Sequence, residues 1–159
     1  MYYAGIGSRE TPPIVLGFMT EIASRLELLG YHLRSGGAAG ADLAFEAGIK
    51  EPKNKSIYYA RHATTKALET AKRIHPAWEK CKPYWQKLHA RNCFMILGID
   101  LVTPSRFVVC WTPQGEDIGG TRTAIVLARE NGIPVYNLAL PDSVAQLDEF
   151  LYTLKTGIR

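Results

Sequence analysis

Three times in this chain an apolar, strand-like run passes into a glycine-bearing loop and then into a helix-like stretch. No other feature restricts its possible folds as strongly. The runs are residues 2–7, 31–35 and 106–111, and the loops are Gly7–Thr11, Ser35–Asp42 and Thr112–Arg122. Further strands are expected at 55–60 and 133–138. Helices are expected at 13–29, 40–48, 120–131 and 143–155, with helical pieces over 64–98 broken by Pro76 and Pro83. Alternating strands and helices predict βαβ units. The expected fold class is therefore α/β, doubly wound, with a mainly parallel sheet and helices on both faces. In such sheets ligands sit outside the carboxyl ends of the strands, so the three loops are expected along one edge.

The first helix opens on Pro12-Pro13, which suits a first turn, and stops at Gly30. Ile14, Phe18, Ile22 and Leu26 recur every fourth residue in it and are expected as its buried stripe. The 159 residues fit one domain, and a hydrophobic fraction of 47% is enough for a full core. No stretch approaches the ~20 apolar residues of a membrane helix. No basic leader precedes Tyr2-Tyr3-Ala4-Gly5-Ile6. A cytoplasmic protein without membrane contact is expected. Cys81, Cys93 and Cys110 lack the close spacing of a zinc or redox motif and are expected as reduced thiols. Neither a metal nor a cofactor is expected. The net charge of +4 permits an anionic ligand or nucleic acid without demanding either. Lys50, Lys53 and Lys55 read as a solvated loop.

Each loop carries residues suited to an anion. Ser35, Gly36, Gly37, Gly40, Ala41 and Asp42 form a turn whose missing Cβ atoms allow close approach, at a helix N-terminus that favours phosphate. Asp42 could cap that helix or accept a ribose hydroxyl. Gly7, Ser8 and Arg9 offer a hydroxyl and a guanidinium fork. Thr112, Gly119, Gly120, Thr121 and Arg122 lead into another helix, which Thr121 could cap. Arg122 opposes the dipole of that helix, a small cost that an anion would offset. On a fourth element, His89 and Asn92 share a helical face, with Arg91 turned away from it. Each loop alone could be a tight turn or a surface ion pair. Their matching positions at strand ends make the ligand reading stronger. Trp78, Trp85 and Trp111 read first as core or rim, with Trp111 the candidate for stacking on a base.

These residues resemble a known group. Gly5-Ile6-Gly7-Ser8-Arg9, the 35–42 loop and Gly119-Gly120-Thr121 are similar to the SLOG superfamily, which unites DprA/Smf and the Lonely-guy (LOG) proteins. The short DprA-like proteins of many phages are similar in further detail. They share Arg-Glu-Thr-Pro at 9–12, His-Pro-Ala-Trp at 75–78, Leu-His-Ala-Arg-Asn at 88–92 and Cys-Trp-Thr-Pro at 110–113. The resemblance implies a Rossmann-like fold, a homo-oligomer and a nucleotide-derived ligand.

It also separates three activities. LOG enzymes cleave the N-glycosidic bond of a nucleoside monophosphate, using Pro-Gly-Gly-x-Gly-Thr-x-x-Glu and a Met-His-x-Arg-Lys helix. Here His89, Arg91, Gly120 and Thr121 match, but Ala124 stands at the glutamate position. Glu46 or Glu116 could substitute only if the fold brings one to the sugar. A third branch of the superfamily senses signals through SLOG domains that bind a cyclic ADP-ribose isomer. By that resemblance, with the glutamate missing, the leading expectation is a holder of an ADP-ribose-like or cyclic ADP-ribose-like molecule, acting as a phage anti-defence sponge. A nucleotide N-glycosidase and a DprA-like single-stranded DNA binder are the alternatives. The DNA reading ranks lower because a charge of +4 without a basic stripe is modest for a strand-tracking groove.

Overall fold

The computed structural model describes residues 1–157. Five parallel strands form one sheet: β1 (Tyr2–Gly5), β2 (His32–Ser35), β3 (Lys55–Ile57), β4 (Val108–Cys110) and β5 (Val135–Asn137). Their spatial order is β3-β2-β1-β4-β5. The six α-helices among the described residues are α1 (Pro13–Leu28), α2 (Ala41–Ala47), α3 (Thr65–Ile74), α4 (Pro83–Leu97), α5 (Arg122–Glu130) and α6 (Pro141–Thr156). The strands are shorter than the apolar runs that announce them. The run at 106–111 contributes only three ladder residues to β4.

Period-two alternation along the strands sorts the core into two layers. Ala4, Val108 and Cys110 face one way and pack with Cys93 and Ile96 of α4 and Ile125 and Ala128 of α5. Tyr3, Leu33, Phe107 and Val109 face the other way. They pack with Met19, Ala23 and Leu26 of α1, Phe45 of α2, and Leu147 and Leu151 of α6. Helices therefore cover both faces, as the doubly wound, Rossmann-like expectation requires. No helix among the described residues is long and apolar enough to cross a membrane.

The apolar stripe of α1 differs from its expected position. Ile14 and Phe18 are 71% and 54% exposed, while Met19, Ala23 and Leu26 are buried. A four-residue step overshoots the helical turn by about 40°. Over three steps back from Leu26 the row rotates by about 120°, which carries Ile14 out to solvent. Helix α5 also starts later than expected. A 3-10 turn at Gly119–Thr121 precedes it.

Candidate functional site

The central strand β1 pairs with β2 on one side and β4 on the other, so the chain order reverses there. The loops leaving β1 and β4 diverge from this point, and a cleft of about 420 Å³ opens between them. Ten of the expected residues line it: Gly7, Ser8, Arg9, Asp42, His89, Arg91, Asn92, Gly119, Gly120 and Thr121. Ile6, Glu10, Ala38, Trp85, Leu88, Met95, Pro113 and Ile118 complete the wall. Of these, Trp85, Leu88 and Met95 were legible as the same helical face as Asn92. Pro113 and Ile118 come from an irregular loop that has no periodicity to read.

Helix α4 is the back wall of this cleft. At 100° per residue, positions 85, 88, 92 and 95 make one stripe, flanked by His89 on one side and Arg91 on the other. Arg91 therefore reaches the cleft despite its expected turn away from His89. The helix also ties the loops together. Asn92 Nδ2 donates to the Gly120 carbonyl at 2.6 Å, and His89 Nδ1 lies 2.8 Å from Thr123 Oγ1. Arg91 Nη1 donates to the carbonyls of Gly36 and of Tyr58, the latter at 3.1 Å. Arg91 Nε is buried without a protein partner among the described residues.

The 35–42 loop is built differently from the expected phosphate cradle. Asp42 is buried, and its carboxylate accepts from the backbone N–H of Ala38 at 3.3 Å and interacts with those of Gly36 and Gly7. Two of the loop's donors, those of Gly36 and Ala38, thus turn inward to a carboxylate. Gly36 allows this packing, because a Cβ there would stand 1.9 Å from Arg91 Nη1 and 2.6 Å from Asp42 Oδ2. Ser35, Gly37, Gly40 and Ala41 do not line the cleft. Ser35 Oγ donates to the Gly5 carbonyl at 2.6 Å, and Ala41 is fully buried. Gly37 lies against Ile57 and Tyr59, and Gly40 against the backbone of Ser8 and Arg9.

Charge on the cleft wall is uneven. Burial pulls Arg91 below the usual guanidinium range; Asp42 opposes that shift and the charge of Arg9 adds to it. Arg9 is exposed and has no ion-pair partner among the described residues. Burial pushes the Asp42 carboxyl up to about 6, against the pull of Arg91 and of its backbone donors. Burial, then His75, then Arg91 push His89 down to about 4, which keeps its ring neutral at pH 7.

The Asp42 shift has a measurable consequence. A carboxyl whose folded value of about 6 lies above its ordinary 3.8 takes up a proton on folding between the two. Its contribution to stability is fully present below about pH 4 and is lost as the pH rises through about 6. The expected loss is about 3 kcal/mol. Urea unfolding of wild type and Asp42→Asn from pH 4 to pH 7 measures it. The difference between the two proteins should shift against wild type as the pH rises. A constant difference would show that Asp42 ionises normally.

The third loop departs from expectation at Thr112 and at the arginine, and it decides between the two readings of Thr121. Thr112 is buried, with its Oγ1 accepting from Asn137 Nδ2 at 2.7 Å, and it faces away from the cleft. Thr121 makes no capping hydrogen bond to α5 and lines the cleft instead. Arg122 turns back and donates to the carbonyl of Ile74, the last residue of α3, at 3.1 Å. The negative partner that its position implied is the carboxyl end of another helix. Among the aromatics, Trp111 packs against the α1/α2/α6 layer, and Trp85, half exposed, stands on the cleft rim.

The two substitute carboxylates expected for a hydrolase do not reach the cleft. Glu46 pairs with Lys55 at 3.0 Å, and Glu116 is exposed elsewhere. The cleft carboxylates are Glu10 and Asp42. Ala124 is fully buried in the layer beneath. One cluster of metal-ligating side chains went unread in the sequence. His75, Cys81 and His89 place one ligand atom each within 4.8 Å of one another.

No protein-family model matches this chain, and no curated protein matches it. A solved structure of DNA processing protein A from Helicobacter pylori, described for its single-stranded DNA binding mode, shares the fold with a TM-score of 0.60. The match covers 100% of this chain and 82% of that one at 19% identity. The fold is thus DprA-like.

Proposed function

We propose that the cleft at the β1/β4 switch point binds a nucleotide unit by its phosphate, and that single-stranded DNA supplies that unit. The observation that carries the phosphate reading is the pair of guanidinium groups that line the cleft. Arg9 is exposed at the cleft mouth, and Arg91 is held at its floor by α4. The charge of Arg9 raises the cost of the charge on Arg91, and an anion between them removes that cost. The Gly119–Thr121 turn that leads into α5 carries no side-chain cap and lines the cleft, so its backbone N–H groups add donors from the opposite loop. Trp85 on the rim offers a face for a base.

The DprA-like fold supports DNA as the source and reverses the order set by charge alone. A neighbour of the same topology is described by its single-stranded DNA binding mode. The second reading is a free nucleotide-derived molecule, such as an ADP-ribose or its cyclic form. A cleft of about 420 Å³ favours it, since that volume lies in the range of small-molecule sites. Hydrolysis of a nucleotide is a third outcome, with Asp42 the buried carboxylate that lines the cleft.

One set of measurements separates them. Anisotropy with a labelled oligonucleotide at physiological salt should show binding that a salt titration weakens. Arg9→Ala should reduce affinity about tenfold and lower the salt slope by about 0.7, the value of one phosphate contact on a single strand. Its stability should stay within about 0.5 kcal/mol of wild type, because the side chain is exposed. In parallel, the protein is incubated with ADP-ribose isomers and nucleoside monophosphates, heated, and the supernatant chromatographed. Intact ligand released on heating, with no oligonucleotide binding, would replace DNA with the small molecule. Free base and ribose phosphate would make the protein a hydrolase.

A further inference from the structure

We propose that His75, Cys81 and His89 together hold a borderline-soft divalent metal ion of the zinc class beside the cleft. Their ligand atoms lie within 4.8 Å of one another. Cys81 Sγ is 3.5 Å from His75 Nε2, and the two imidazole rings lie 4.5 Å apart between centroids. Tetrahedral zinc with bonds of about 2.0–2.3 Å sets its ligand atoms about 3.3–3.8 Å apart, so a small contraction completes the site. Two imidazoles and a thiolate form a donor set that suits zinc and disfavours calcium or magnesium.

Three separate elements supply the ligands. His75 follows the end of α3, Cys81 follows a 3-10 turn at Trp78–Lys80, and His89 sits in α4. The six- and eight-residue spacings lie outside the short-spaced motifs, and only the packing of α3 on α4 brings the three together. Thr123 Oγ1 at 2.8 Å from His89 Nδ1 fixes that ring and leaves Nε2 as the ligand atom. His75 Nδ1 accepts from the Ala77 N–H at 3.1 Å. Binding through Nε2 moves the ring proton to Nδ1 and gives up that one backbone bond. Cys81 binds as thiolate and releases its proton to solvent.

Three protein ligands leave a coordination position open. His89 also lines the cleft, so the ion adds positive charge to its wall. The metal site stands or falls independently of which nucleotide the cleft takes. Cobalt(II) is the probe, titrated into the metal-stripped full chain. One equivalent should produce a thiolate-to-cobalt charge-transfer band together with visible bands of low-coordinate cobalt. Cys81→Ser should abolish the charge-transfer band with its circular dichroism unchanged, because the side chain is only half buried. Thr123→Val should weaken cobalt binding about 10–100-fold by freeing the His89 ring. Absence of the charge-transfer band at one equivalent would overturn the proposal. So would its persistence in Cys81→Ser, which would assign the sulfur to Cys93 or Cys110.

Discussion

Replacing Arg91 with alanine will destabilise the protein by about 3 kcal/mol at pH 7, within the range for removing one member of a buried charge pair. The side chain is 9% exposed and spends its Nη1 on the carbonyls of Gly36 and Tyr58. Its removal leaves those acceptors without a donor, and Asp42 loses the cation that lowers its pKa. Chemical denaturation reads the loss directly, and the oligonucleotide assay should lose binding in the same variant. Arg91→Lys should keep the charge but not the two-carbonyl contact, and so recover only part of the stability. An Arg91→Ala protein as stable as wild type would mean that Arg91 serves the ligand alone. That outcome is what the sequence suggests, since a cleft arginine on an amphipathic helix reads as a free anion-binding group. The structure makes Arg9 the cleaner probe of binding.

The second large effect is expected at Gly40. Its backbone sits at φ +87° and ψ −126°, a region that costs any L side chain about 1–3 kcal/mol. A Cβ there would meet the Ser8 carbonyl oxygen at 2.7 Å and the Arg9 Cα at 2.8 Å. Both are backbone atoms of the cleft wall, so the clash is relieved only by moving Ser8 and Arg9. Gly40→Ala should therefore lower stability by about 3 kcal/mol, or about 6–12 °C in Tm for a chain of this length. It should weaken nucleotide binding although residue 40 does not line the cleft. Gly119→Ala supplies the control. It has φ +66° but open space around its Cβ, so it should cost only about 1–2 kcal/mol of backbone strain. Equal losses in the two variants would show that the Gly40 contact with the β1 loop carries no weight.

Residues such as Asp42 and Arg122 show where local reading stops. Asp42 in a first helical turn reads as a cap or a ribose acceptor. The fold surrounds it with the N–H groups of Ala38, Gly36 and Gly7 and with Arg91, and it becomes the organiser of the loop. Arg122 at a helix start reads as an anion contact, and it does meet negative charge. That charge is the carboxyl end of α3, 48 residues away in sequence. The kind of partner was legible from local electrostatics, but its identity depended on contacts between helices far apart in the chain.

The three strand–glycine–helix passages determined by themselves that the sheet would be parallel, that helices would cover both faces, and that the glycine-bearing loops would gather at one edge. Period-two strands and glycine turns are local properties, and local backbone sterics act on them before any tertiary contact forms. The tertiary structure alone decided which of the loop residues face the cleft. Loop backbone has no period, so whether Thr112 turns inward or Thr121 outward depends on the neighbour that arrives, Asn137 in one case and α4 in the other. It alone also gathered His75, Cys81 and His89, because ligand geometry is set by the distance between packed helices and not by spacing along the chain.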